Sequence, residues 1–119
     1  MRPTSSLGRK GEEAVATWLK QHGYTILECN YRTRCGEVDI IASNHEIMAF
    51  VEVKTRTTEY FPTHLVVNKR KQNKVIKAAL HYMVKHRISD KVIRFDIASV
   101  TPVEGGFAVD YIPNAFTKS

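Results

Sequence analysis

An aspartate flanked on both sides by β-favouring residues is the first feature of this sequence that asks for a chemical reason. Gly36-Glu37-Val38-Asp39-Ile40-Ile41 reads as a strand, yet aspartate is depleted from strands. The next strand, Phe50-Val51-Glu52-Val53-Lys54, turns Glu52 and Lys54 to one face and Val51 and Val53 to the other. If the two pair as a hairpin across residues 44–47, Asp39 falls opposite Glu52; a tighter turn makes them diagonal neighbours. Facing carboxylates repel, and each resists ionising beside the other. A divalent cation removes that cost. Oxygen-only ligands suit Mg²⁺ or Mn²⁺, with waters and a substrate phosphate completing the shell. Lys54, one pleat beyond Glu52, can then contact the attacking water or the charge developing on phosphorus. A solvated hairpin whose charges meet by chance would carry the same letters.

A third carboxylate comes from the first helix, expected over residues of about 7–22, with Ser5-Ser6 as N-cap and Gly23 as its stop. Val15, Trp18, Leu19 and His22, with Ala16 beside them, form its inward face. Glu12 lies one turn before Val15 and Ala16 and so turns toward the core, whereas Glu13 points away with Lys20. An inward carboxylate needs a partner or a metal. A salt bridge at the helix edge also satisfies it.

The remaining elements follow from periodicity and turn residues. Strands are expected over Tyr24–Arg34, Glu37–Ala42, Ile47–Thr55, Val92–Val100 and Phe107–Ile112, with a long helix over Asn68–Arg87. Strand alternation sets Val38, Ile40 and Ala42 on one face and Glu37, Asp39 and Ile41 on the other. Cys35-Gly36, Ser43-Asn44-His45 and Gly105-Gly106 read as turns, and Arg56–His64 as a loop. The order is αβββαββ: one α/β domain over residues 1–119, with its core at about 7–112. A mixed five-stranded sheet carries a helix on each side, or both on one side.

Charge narrows the partners. Lys and Arg number 18 against 12 Asp and Glu, a net charge of +6, which favours a polyanion or an acidic membrane surface. A basic but otherwise ordinary surface is the plainer alternative. On the long helix Val75, Ile76, Ala79, Leu80 and Met83 share a face, and Arg70, Lys74, Lys77, His81 and Lys85 form a stripe almost opposite. That stripe is either solvated or a track for phosphates. Lys71 sits at the border and can reach over the sheet toward Glu52. Arg32, Arg34 and Arg56 stand near strand ends that flank the acids, so they are the better candidates for phosphate contacts. Arg94 and Asp96 share a strand face and can pair with each other.

Other classes lack support. The start of the chain has no apolar signal segment, and the longest apolar run, Ile47–Val51, is too short to span a bilayer. Cys29 and Cys35 lack CxxC spacing and read as reduced thiols, and the five histidines form no HxH or HExxH. A cytoplasmic protein is expected.

The spaced glutamate, the strand aspartate and the Glu-x-Lys of the following strand resemble the PD-(D/E)xK nuclease motif. More closely, the chain resembles the bacterial YraN-type family of uncharacterised proteins, similar to archaeal Holliday junction resolvases. The resemblance is carried by Gly11-Glu12 with Ala16 and Leu19, Gly23-Tyr24-x-Ile26-Leu27, Asn30-Tyr31-Arg32 and Gly36-Glu37-Val38-Asp39-Ile40-Ile41. It continues through Phe50-Val51-Glu52-Val53-Lys54-Thr55-Arg56, Lys71 with Ala78 or Ala79, and Arg94-Phe95-Asp96. Val38 stands where the name-giving motif has proline, and Pro62 follows Phe61 where glycine is expected. The resemblance implies a restriction-endonuclease-like core, with Glu12, Asp39 and Glu52 as metal-binding acids and Lys54 as the catalytic lysine. One or two Mg²⁺ or Mn²⁺ ions would serve hydrolysis of phosphodiester bonds, with DNA as the expected substrate and branched or damaged structures among the options. Junction-cutting relatives work as dimers, so a homodimer is compatible. Two other readings compete: a non-catalytic nucleic-acid-binding module of the same fold, and a basic domain that meets an acidic protein.

Overall fold

The structure, a computed structural model, describes residues 6–56 and 67–117. Ser5 of the expected N-cap, the Phe61-Pro62 step and most of the expected loop after Arg56 lie outside the described residues. The elements are α1 (Ser6–Gln21), β1 (Thr25–Arg32), β2 (Glu37–Ser43), β3 (Ile47–Thr55), α2 (Lys69–Lys85), β4 (Val92–Val103) and β5 (Gly106–Phe116). Their order is the αβββαββ read from the sequence.

Residues 48–53 of β3 are buried without alternation, so this strand must be covered on both faces. It is the central strand of a sheet ordered β1-β2-β3-β4-β5. Pairing is antiparallel except between β3 and β4, which run parallel in unbroken register from Ile47↔Val92 to Thr55↔Val100. A parallel pair needs a crossover, and α2 lies within it. One core holds Val15 and Leu19 of α1 against Ile40, Ala42, Val51, Ala98 and Val100. The other holds Val75, Ala79 and Tyr82 of α2 against Val38, Ile41, Phe50 and Ile97. The helices therefore take opposite faces, which settles the alternative left open by the sequence.

Local chemistry sets the helix ends. Asn68 Oδ1 accepts from the Lys71 backbone N–H at 2.9 Å, capping α2. Gly23, at φ 89°, terminates α1, and its freedom from a Cβ is needed there. Two expected inward residues lie outside: His22 is exposed and stacks on Trp18, and Leu80 is 40% exposed while Tyr82 takes the buried position. The last strands run further than expected, to Val103 and Phe116, carrying Pro102 and Pro113. Pro113 lies in β5, an edge strand, where a missing N–H costs little.

On the α1 side of the sheet, Asp96 is fully buried and Arg94 grips it with Nε to Oδ1 and Nη2 to Oδ2, both at 2.9 Å. Tyr111 donates its hydroxyl to the same carboxylate, the Asn114 N–H donates at 2.8 Å, and Arg94 Nη2 also donates to Tyr24 Oη at 2.7 Å. The expected Arg94–Asp96 pair is thus a closed structural cluster. Among the described residues no helix is long and apolar enough to cross a membrane.

Candidate functional site

The β2–β3 ladder runs from Ser43↔Met48 to Ile40↔Val51 and stops there. One more step in that register would pair Asp39 with Glu52. On its other side β2 pairs Cys29↔Ile40 and Tyr31↔Val38, which sets Asn30 opposite Asp39. Asn30 is at φ 53°, a conformation that asparagine tolerates better than most residues. The pleat changes phase at this point. Val38 and Ile41 both pack on the α2 side, and Ile40 and Ala42 on the α1 side. The expected common face for Val38, Ile40 and Ala42 is corrected accordingly: a local break in pleating shifts Val38 to the opposite side. Where the ladder stops, Asp39 Oδ2 accepts from the Val53 backbone N–H at 2.9 Å. The carboxylate takes the place of a strand carbonyl.

Asp39 and Glu52 are each only 3% exposed. Glu52 Oε2 lies 3.3 Å from Lys71 Nζ, which lies 3.3 Å from Glu37 Oε1 as well; Arg32 Nε stands 3.6 Å from Glu37 Oε2. Close approach of α2 to the β1–β2 turn makes this possible, because a Cβ on Gly36 would lie 2.0 Å from the Lys74 carbonyl oxygen. Burial pushes the Glu52 carboxyl up to about 8, and the charge of Asp39 adds to the rise, while Lys71 opposes it. Burial works against the Lys71 ammonium, but Glu52 and Glu37 outweigh it and hold its pKa above the usual value.

The cluster therefore has three carboxyls, Glu37, Asp39 and Glu52, against two cations, Arg32 and Lys71. Glu52 Oε1 is buried and has no hydrogen-bond partner among the described residues, an arrangement that costs free energy. Two adjacent buried carboxyls, one with an unused oxygen, fit a hard divalent cation with water and substrate oxygens completing its shell.

Glu12 does not join them. It is half-buried on α1, where Asn30 Nδ2 donates to its Oε1 at 3.2 Å. Asn30 in turn faces Asp39 across the strands. Among the described residues no three His, Cys, Asp or Glu side chains stand close enough to hold an ion together. Of the three expected acids, Asp39 and Glu52 lie side by side, and Glu12 stands on α1 bonded to Asn30. Lys54 is exposed near the end of β3, two residues beyond Glu52. Arg32 and Arg34 line a cavity with Glu37 and Lys74, and the Arg56 N–H bonds the Val100 carbonyl at 2.7 Å just past β3. Lys71 does reach Glu52 over the sheet. The sequence reading missed Glu37 as the second partner of Lys71 and Asn30 as the holder of Glu12. The only signal for the first was that Glu37 precedes Asp39 by one full pleat.

The description "Uncharacterised protein family UPF0102" belongs to a family model that matches residues 11–100, a span that includes all four proposed site residues. The chain belongs to this family. A UPF0102 protein of Geobacter metallireducens is 46% identical over 112 residues, covering 93% of this chain and 92% of the relative. One from Alkaliphilus oremlandii is 41% identical over 113 residues, covering 92% and 97%. One from Treponema denticola is 46% identical over 101 residues, covering 77% and 78%. Similarity thus extends over about four-fifths or more of each of these UPF0102 chains.

Proposed function

We propose that this UPF0102 protein is a metal-dependent nuclease that hydrolyses phosphodiester bonds in nucleic acid, DNA being the expected substrate. The observation that carries the reading is the buried Asp39–Glu52 pair with the unpartnered Glu52 Oε1. Such a pair is costly when both carboxyls are ionised, and a divalent cation beside Lys71 would offset that cost. Asp39 and Glu52 would hold one Mg²⁺ or Mn²⁺, which supplies Lewis-acid polarisation of a phosphoryl oxygen and a more acidic water. The Val53 N–H and Lys71 orient the two carboxyls. Lys54, exposed on the same strand, stabilises charge that develops on the phosphoryl group. Glu12 remains on Asn30, outside the direct ligands. Arg32, Arg34, Arg56 and Lys71 supply positive charge around the acids, in keeping with a polyanionic substrate.

A second reading is favoured by the Lys71–Glu52 contact at 3.3 Å, which already neutralises one acid. On that reading the chain binds nucleic acid without cutting it. A cleavage panel of single-stranded, duplex, flap and four-way DNA, with Mg²⁺ or Mn²⁺ and with chelator, separates the two. Metal-dependent cutting of any member supports the nuclease. Tight binding with no cutting of any member overturns it.

A further inference from the structure

The turn joining β1 to β2 and the outer flank of α2 enclose a cavity of about 860 Å³. Its floor includes Leu80, which is 40% exposed although leucine on this helix has a core open to it, and Cys35. Arg32, Arg34 and Lys77 stand around that floor. His81 forms one wall, held by a hydrogen bond of 2.7 Å between its Nδ1 and the Tyr31 hydroxyl. A second cavity of about 210 Å³ shares Arg32, Arg34 and Cys35 and extends to Lys74 and Glu37. Glu37 is joined through Lys71 to Glu52. The two cavities adjoin through these shared residues, and together they form a groove that runs from Glu37 to Leu80.

Its chemistry is mixed in a particular way. Four cations, Arg32, Arg34, Lys74 and Lys77, are offset by one carboxylate, Glu37, so the groove suits a chain of phosphates. A paired duplex would use those cations but not the apolar floor, because its bases are stacked inside. An unpaired strand presents flat faces that settle on apolar and aromatic side chains while its phosphates meet the cations. We propose that this groove binds an unpaired nucleic-acid strand leading from the scissile phosphate, with bases on Leu80 and His81 and phosphates on Arg34, Lys74 and Lys77. The proposal rests on the nucleic-acid reading above and adds the class of substrate: one with a single-stranded arm.

Fluorescence anisotropy in chelator, where no metal-dependent cutting occurs, tests it with a labelled DNA single strand and a blunt duplex of equal length. The wild-type chain should bind the single strand about 10-fold more tightly than the duplex. Leu80→Ser and His81→Ala, both at exposed positions, should each remove most of that preference by weakening the single strand alone. Arg34→Ala with Lys77→Ala should weaken both DNAs and reduce the salt slope by about 2. Equal wild-type affinity for the two DNAs overturns the proposal, as does unchanged single-strand affinity in His81→Ala and Leu80→Ser. Thermal melts show which variants are folded, and either folded variant suffices. The cleavage panel reports separately: a chain that prefers single strands but cuts nothing loses the nuclease reading and keeps the groove.

Discussion

Lys71 Nζ lies 3.3 Å from Glu52 Oε2 and 3.3 Å from Glu37 Oε1, so one ammonium from α2 serves carboxyls on two strands. Shared in this way, it leaves Glu52 Oε1 without a hydrogen-bond partner among the described residues. Burial and the neighbouring Asp39 make ionisation of Glu52 costly, and the consequences can be measured.

The first concerns pH. The Glu52 carboxyl rises from an ordinary 4.5 to about 8 in the fold, so the folded chain holds a proton that the unfolded chain releases. Stability from this group is fully present below about pH 4.5 and is lost as pH climbs toward about 8. The loss should be on the order of a few kcal/mol. Urea melts of the metal-free chain should show this fall, and Glu52→Gln should flatten it. Identical pH profiles for the two proteins would contradict the buried, charge-crowded carboxyl.

Metal should act in the opposite direction. Calorimetry with Mn²⁺ at pH 8 should detect binding, and Asp39→Asn and Glu52→Gln should each reduce it by at least about 10-fold. Glu12→Gln should leave it within about 2-fold, since the Glu12 carboxylate is bonded to the Asn30 amide. Equal losses in all three variants would restore the three-acid ligand set expected from the sequence.

The approach of α2 to the β1–β2 turn depends on Gly36. Gly36→Ala sets a methyl 2.0 Å from the Lys74 carbonyl oxygen, and overpacking against backbone costs about 1–3 kcal/mol. Part of that cost should appear as a weaker Lys71–Glu52 contact, read as a higher midpoint for the Glu52 titration. An unperturbed melting temperature in Gly36→Ala would show that the turn yields easily.

Asp96 is fully buried in the cluster with Arg94, Tyr24 and Tyr111. Asp96→Asn leaves the Arg94 guanidinium under-compensated behind Tyr24 and Tyr111, and breaking a buried pair of this kind costs about 3–5 kcal/mol. Denaturant melts should show that loss, while the Mn²⁺ affinity of the fraction still folded stays at the wild-type value. A loss of under about 1 kcal/mol would mean that water compensates the arginine.

The sequence carried the strand order because each element has its own period and its own punctuation. It also carried the Asp39–Glu52 register, since the Asn44 turn fixes how the hairpin closes: Asn44 Oδ1 accepts from the Ile47 N–H at 2.8 Å. It did not carry the side on which Val38 falls. That depends on Asn30 adopting φ 53° on a neighbouring strand, and strict alternation has no place for such a break. Glu12 was read as inward from helical spacing, which is a statement about direction; its partner, Asn30, is set by how α1 sits on β1. Spacing alone suggested Arg94 with Asp96, whereas Tyr24 and Tyr111 close the cluster from distant segments. β5 runs past the expected end at Ile112 and through Pro113, which an edge strand tolerates, and the sequence does not say which strand lies at an edge.

Single-turnover cleavage by wild type and Lys54→Ala, beside the DNA affinity of each, tests the central claim most directly. Lys54 is exposed near the strand end, so its loss should leave the fold intact. If it stabilises charge that appears only as the phosphodiester bond breaks, the variant should cut about 10²–10³-fold more slowly. Its affinity for the same DNA should stay within about 2-fold of wild type. Equal cutting rates in the two proteins, or wild-type binding with no Mg²⁺- or Mn²⁺-dependent cutting at all, would contradict the account.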